Sequence, residues 1–199
     1  MVSTLLLPAI AVILQAQREP TDRSPYSPFT EIVRTAALPS RPGAGDSRVV
    51  REIWLTDERG MVAGERIPFL RLVDTGDGFR AQLFRWWDKH AGPTSGPTIN
   101  CGEGTSWRVV CVESVPLPKQ ANWQDFGRRL LVLAECRPPG VQVSVTDQGH
   151  LFMEVFDQGA YRTYDCYGPL TQVPTAAHPL VVETEQLLRD LARALPIVR

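Results

Sequence analysis

The chain reads as an α+β domain in which two helices pack on one face of a mainly antiparallel sheet of about seven strands. Three observations predict this class. Short runs of alternating apolar and polar residues recur from Val49 onward, as in strands with one buried face. Asp- and Gly-rich strings punctuate those runs and supply the backbone conformations that tight turns need. Two further segments, one central and one C-terminal, carry apolar residues at helical spacing. A small β-barrel with a C-terminal helix is the alternative arrangement of the same elements.

The chain opens with Leu5 to Leu14, LLLPAIAVIL, followed by Gln15, Ala16 and then a polar, proline-rich stretch. This pattern predicts a cleavable signal peptide over residues 1–16, with small Ala16 just before the cut. The apolar run is too short for a membrane span of roughly 20 residues and Pro8 interrupts it, so no stable membrane insertion is expected after cleavage. Residues 17–48 hold Pro20, Pro25, Pro28, Pro39 and Pro42 among Ser, Thr, Arg and Gly, with Ile32, Val33 and Leu38 as apolar punctuation. That composition predicts a proline-rich flexible arm or linker. A single α+β domain is expected over 49–199.

Within the domain, Val50 to Thr56 alternates around Ile53 and Leu55. Ile67 to Val73 and Phe79 to Trp87 are joined by Asp74-Thr75-Gly76-Asp77-Gly78, which predicts a hairpin. Trp107 to Val115 alternates through Trp107, Val109, Cys111 and Val115. Val141 to Val145, Leu151 to Val155 and Tyr161 to Thr163 are separated by Asp147-Gln148-Gly149 and Asp157-Gln158-Gly159, which predicts a C-terminal three-stranded meander. The first helix follows Asn122 as its N-cap, with Asp125 in the first turn and Trp123, Phe126, Leu130, Leu131 and Leu133 toward the core. Gly127 weakens it, and Pro138-Pro139 ends it. The second opens at Pro179 and carries Leu180, Thr184, Leu187, Leu188, Leu191 and Leu195 at helical spacing. Glu183 and Glu185 lie early and Arg189 and Arg193 late, an order that suits the helix dipole.

The chemistry is sparse. Cys101, Cys111, Cys136 and Cys166 permit three pairings, and nearest neighbours give Cys101 with Cys111 and Cys136 with Cys166. Export into an oxidising compartment makes disulfides the expected state, and the spacing is not that of a zinc knuckle. No cofactor and no metal site is expected. The string Arg85-Trp86-Trp87-Asp88-Lys89-His90 ends a strand. Phe84, Trp86, Trp87, Asp88 and His90 are therefore a candidate binding surface for a partner, unless helices and arm cover both faces of the sheet. Glu154, Arg162 and Tyr164 lie on adjacent strands of the meander and form a candidate cluster on one sheet face.

A net charge of −1 gives no reason to expect nucleic acid as a partner. The first functional expectation is an exported, periplasmic or extracellular, disulfide-stabilised, non-catalytic module that binds a protein or another component of the cell envelope. The second is a carrier for a small apolar ligand, with a barrel interior lined by Leu83, Val109, Met153 and Val155. A hydrolase ranks third: the chain has three histidines and no G-x-S-x-G, H-E-x-x-H or phosphate-binding glycine string.

Overall fold

The computed structural model describes residues 23, 27–39, 48–57, 67–103, 109–117, 122–131, 133, 150–168, 170 and 173–195. Seven strands form one antiparallel sheet: β1 (Arg51–Asp57), β2 (Pro68–Asp74), β3 (Phe79–Asp88), β4 (Ile99–Glu103), β5 (Val109–Val115), β6 (His150–Asp157) and β7 (Ala160–Tyr167). Their order across the sheet is β4-β5-β3-β2-β1-β6-β7. Among the described residues they are accompanied by the α-helices α1 (Pro28–Thr35), α2 (Trp123–Leu130) and α3 (His178–Ala194). No helix among the described residues is long and apolar enough to cross a membrane.

The sheet is open, with β4 and β7 at opposite edges, which overturns the barrel alternative. A barrel needs its first and last strands to pair; here five strands stand between them. Leu83, Met153 and Val155 belong to the buried core between sheet and helices, while the side chain of Val109 lies outside the described residues.

Each turn follows local chemistry. Asp74 pairs with Phe79 across the β2–β3 hairpin, and Asp74 Oδ1 accepts from the backbone amides of Gly76 at 2.8 Å and Gly78 at 3.2 Å. In the β6–β7 hairpin, Asp157 pairs with Ala160, leaving Gln158 and Gly159 at φ values of 52° and 84°. Two consecutive positive φ angles match the right-handed twist of the flanking strands. The first strand expected for the meander, 141–145, lies outside the described residues, and the neighbour of β6 opposite β7 is β1.

Alternation divides the sheet into two faces. Ile53, Leu55, Leu70, Leu72, Leu83, Met153 and Val155 turn toward α2 and α3, where Phe126, Leu130, Val181, Leu188 and Leu191 complete the main core. Asn122 caps α2 as expected, its side chain accepting from the Asp125 amide at 3.2 Å. Gly127 is a packing requirement of that helix, because a Cβ there would lie 2.5 Å from ring atoms of Phe79. Arg129 ties the two helices together with a two-pronged contact to Glu183 at 2.5 and 2.6 Å. This contact holds the Glu183 carboxyl below its ordinary range.

The opposite face carries Trp54, Phe69, Phe84, Val110, Val112 and Phe152, covered by Phe29, Ile32 and Val33 of α1. Here the structure departs from the expectation of a flexible arm, since α1 lies inside 17–48 and buries Phe29 and Ile32 completely. Ser27 accepts from the Phe29 amide at 3.3 Å, Pro28 occupies the first turn, and Phe29, Ile32 and Val33 fall on one stripe. Eight residues are too few for a stable isolated helix, so the aromatic sheet face supplies what local propensity does not.

Candidate functional site

Two regions concentrate polar chemistry: the connection between β3 and β4, and the α1 face of β1, β2, β6 and β7. In the first, residues 89–98 run over the surface, with Lys89, His90, Ala91 and Thr94 to Thr98 exposed. The connection is nonetheless braced along its length. Asp88 Oδ1 accepts from the His90 amide at 3.0 Å and the Asp88 carbonyl accepts from the Ala91 amide at 2.8 Å. The Trp87 indole donates to the Pro93 carbonyl at 3.2 Å. Sγ of Cys101 lies 3.5 Å from the Thr94 carbonyl oxygen. Farther along, the Thr98 hydroxyl donates to Glu113 at 3.1 Å and the Thr98 carbonyl accepts from the Ser114 amide at 3.3 Å.

The disulfide expected between Cys101 and Cys111 is present and joins directly opposed residues of β4 and β5. Cys166, buried in the main core, is also disulfide-bonded, and Cys136 lies outside the described residues. Trp87 stands opposite Cys111 on the neighbouring strand, with the Arg85 guanidinium 5.2 Å from the centre of its ring. Arg85 also pairs with Glu113. Indole, disulfide and ion pair together form the base of the loop.

These contacts decide where the candidate aromatic surface lies. Phe84 is buried on the α1 face, stacked on Trp54 at 5.6 Å, and Trp86 is partly buried against the same cluster. Trp87 is buried on the other face. These three side chains are therefore structural supports, and the exposed members of the string belong to the loop beyond them. Asp88 orders the turn at His90. Among the described residues no group of three His, Cys, Asp or Glu side chains could hold a metal ion.

The second region is a buried ionic cluster. Arg23, just before α1, has a side chain only 4 % exposed that pairs with Glu52 at 2.8 Å and with Glu154. Glu52 also accepts from Arg71, whose Nη2 lies 2.5 Å from Oε1, and Arg71 donates to Gln82 at 2.7 Å. The guanidinium carbon of Arg23 lies 5.4 Å from the Trp54 ring centre and 5.3 Å from that of Tyr161. Burial pulls the Arg23 proton affinity down, but Glu154 and Glu52 outweigh it and hold the group above its ordinary value. Burial pushes the Glu154 carboxyl up against the opposing pull of Arg23, and it pushes the Tyr161 phenol up too. Buried ions are tolerated only when paired and hydrogen-bonded in this manner.

The expected grouping of Glu154, Arg162 and Tyr164 does not form. Glu154 pairs with Thr163 in register, so Arg162 and Tyr164 flank that position and face the other way. Tyr164 enters the main core, and Arg162 sits 3.7 Å from Asp157. Glu154 takes Arg23 instead, a partner 131 residues away. Arg23, Glu52 and Arg71 were not anticipated. The available signal was Glu52 alternating with Trp54, and Arg71 standing between Leu70 and Leu72, on strands that lie inside the sheet. No family model matches the chain, and neither the curated proteins nor the solved structures compared with it contain a match.

Proposed function

We propose that this protein is an exported, non-catalytic interaction module of the cell envelope that presents the loop 89–98 to a protein or envelope partner. The observation that carries this reading is a long exposed loop held at Pro93 by an indole and at Thr98 by a neighbouring strand. A loop ordered before binding loses less conformational entropy when it docks, so its exposed atoms contribute more of their contact energy to affinity. Export is supported by the Cys101–Cys111 bridge, since such bonds persist in oxidising compartments.

The test is affinity capture from culture with two chains, wild type and a variant with His90→Ala, Thr94→Ala and Ser95→Gly in the loop. These side chains are exposed, so the variant is expected to melt within a few degrees of wild type while losing the partner that wild type retains. Retention of the same partner at equal yield overturns the assignment of the loop. Sequencing the N-terminus of the recovered protein checks export, because an N-terminus at Met1 with four free thiols contradicts it.

A further inference from the structure

Among the described residues, Glu52, Glu154, Trp54 and Tyr161 of the sheet meet the Arg23 guanidinium, whereas Arg23 itself precedes α1 in the chain. The register explains how the sheet builds this surface. Trp54 stands directly opposite Glu154, and Glu52, Phe156 and Tyr161 lie in one row across β1, β6 and β7. Glu52 and Tyr161 are therefore diagonal neighbours of Glu154 on one face. Two carboxylates accept from Nε and Nη2 of a planar cation whose central carbon lies 5.4 and 5.3 Å from the Trp54 and Tyr161 ring centres, and two separated N–H donors match a guanidinium better than a compact ammonium. Without Arg23, Arg71 is the cation left against Glu52 and Glu154 among the described residues, so the buried cluster is one positive charge short.

A second observation concerns atoms the present occupant leaves unused. Among the described residues the Trp54 indole Nε1 and the Tyr161 hydroxyl are buried without a hydrogen-bond partner, and their residues are at most 3 % exposed. Both oxygens of Glu52, by contrast, are occupied, Oε1 by Arg71 and Oε2 by Arg23. The surface thus offers more polar capacity than the tethered side chain fills. Unused buried capacity of this kind is rare in folded proteins unless a water or ligand takes it up.

We infer that Glu52, Glu154, Trp54 and Tyr161 form a guanidinium-binding socket, that Arg23 is its built-in occupant, and that the vacated socket accepts an external alkylguanidinium. The Arg23 side chain is then a plug, and an arginine side chain is the ligand class that the socket selects. Anions are excluded by the two carboxylates, and neutral apolar ligands leave the cluster one positive charge short.

The test uses the full chain with Arg23→Ala and ethylguanidinium chloride, whose atoms match those the substitution removes beyond Cβ. Ethylammonium chloride and sodium chloride at equal concentration are the controls. Arg23→Ala is expected to show a saturable rise in melting temperature of roughly 3–6 °C at about ten times Kd. Wild type, already filled, is expected to show none. Adding Glu154→Gln to Arg23→Ala is expected to abolish the rise. If Arg23→Ala does not fold unaided, its refolding yield with ethylguanidinium against ethylammonium is the readout. Equal responses of wild type and Arg23→Ala, equal responses to the two cations, or a rise that survives Glu154→Gln would each overturn the inference.

Discussion

Phe29→Ala asks whether α1 is part of the cooperative fold or a lid laid over it. Phe29 is fully buried, stacked on Trp54 at 5.4 Å and in ring contact with Phe69 at 6.1 Å and Phe152 at 5.5 Å. Truncating such a residue removes transfer free energy and leaves a cavity, at a cost of about 3–5 kcal/mol. With a urea slope of about 2 kcal/mol/M, the unfolding midpoint falls by roughly 1.5–2.5 M. Urea titration followed by tryptophan fluorescence and far-ultraviolet circular dichroism measures it, and the two signals are expected to move together. A midpoint shift below about 0.3 M, with only the fluorescence baseline altered, would refute the reasoning. It would mean that α1 detaches before the sheet unfolds and that the aromatic face persists without its cover.

Gly127→Ala raises helix propensity by about 1 kcal/mol, yet it is expected to lower stability. The new Cβ meets Phe79 Cγ at 2.5 Å, near the base of a side chain that cannot swing away, and overpacking costs about 1–3 kcal/mol; a raised melting temperature would contradict this. Cys101→Ala with Cys111→Ala releases a loop closed across 10 positions and is expected to cost about 2–3 kcal/mol, with faster proteolysis between Lys89 and Thr98 as a separate check. Glu154 has a folded-state pKa above its ordinary 4.5, so its contribution is fully present below that pH and is lost as pH rises through the raised value. Arg23, Glu52, the Ser27 hydroxyl and Tyr161 all face it. Stability of wild type relative to Glu154→Gln is therefore expected to fall from pH 4.5 upward, and parallel pH profiles would count against it.

Elements set by neighbouring residues were legible. Asn122 with Asp125 marked the start of α2, the Asp74 to Gly78 string gave a hairpin, and Gln158-Gly159 gave another. β4 was not legible because its sequence, INCGE, has no apolar alternation and depends on pairing with β5. α1 was hidden for a related reason, since eight residues between prolines carry too little local signal to outweigh a loop-like composition. Strand alternation puts Phe84 and Trp86 on the face opposite Ala81 and Leu83, as in the structure, but alternation does not say what covers a face.

The sequence by itself determined the α+β class, the hairpin positions and the two helices of the main core, and it favoured the Cys101–Cys111 pairing among three, because each rests on residues within short stretches of the chain. Tertiary structure decided that the sheet stays open, that α1 closes its second face, and that Arg23 meets Glu52 and Glu154 across 29 and 131 positions. Those outcomes depend on which strands become neighbours and on where desolvation leaves a charge in need of a partner. Neither is written in any short window of the chain.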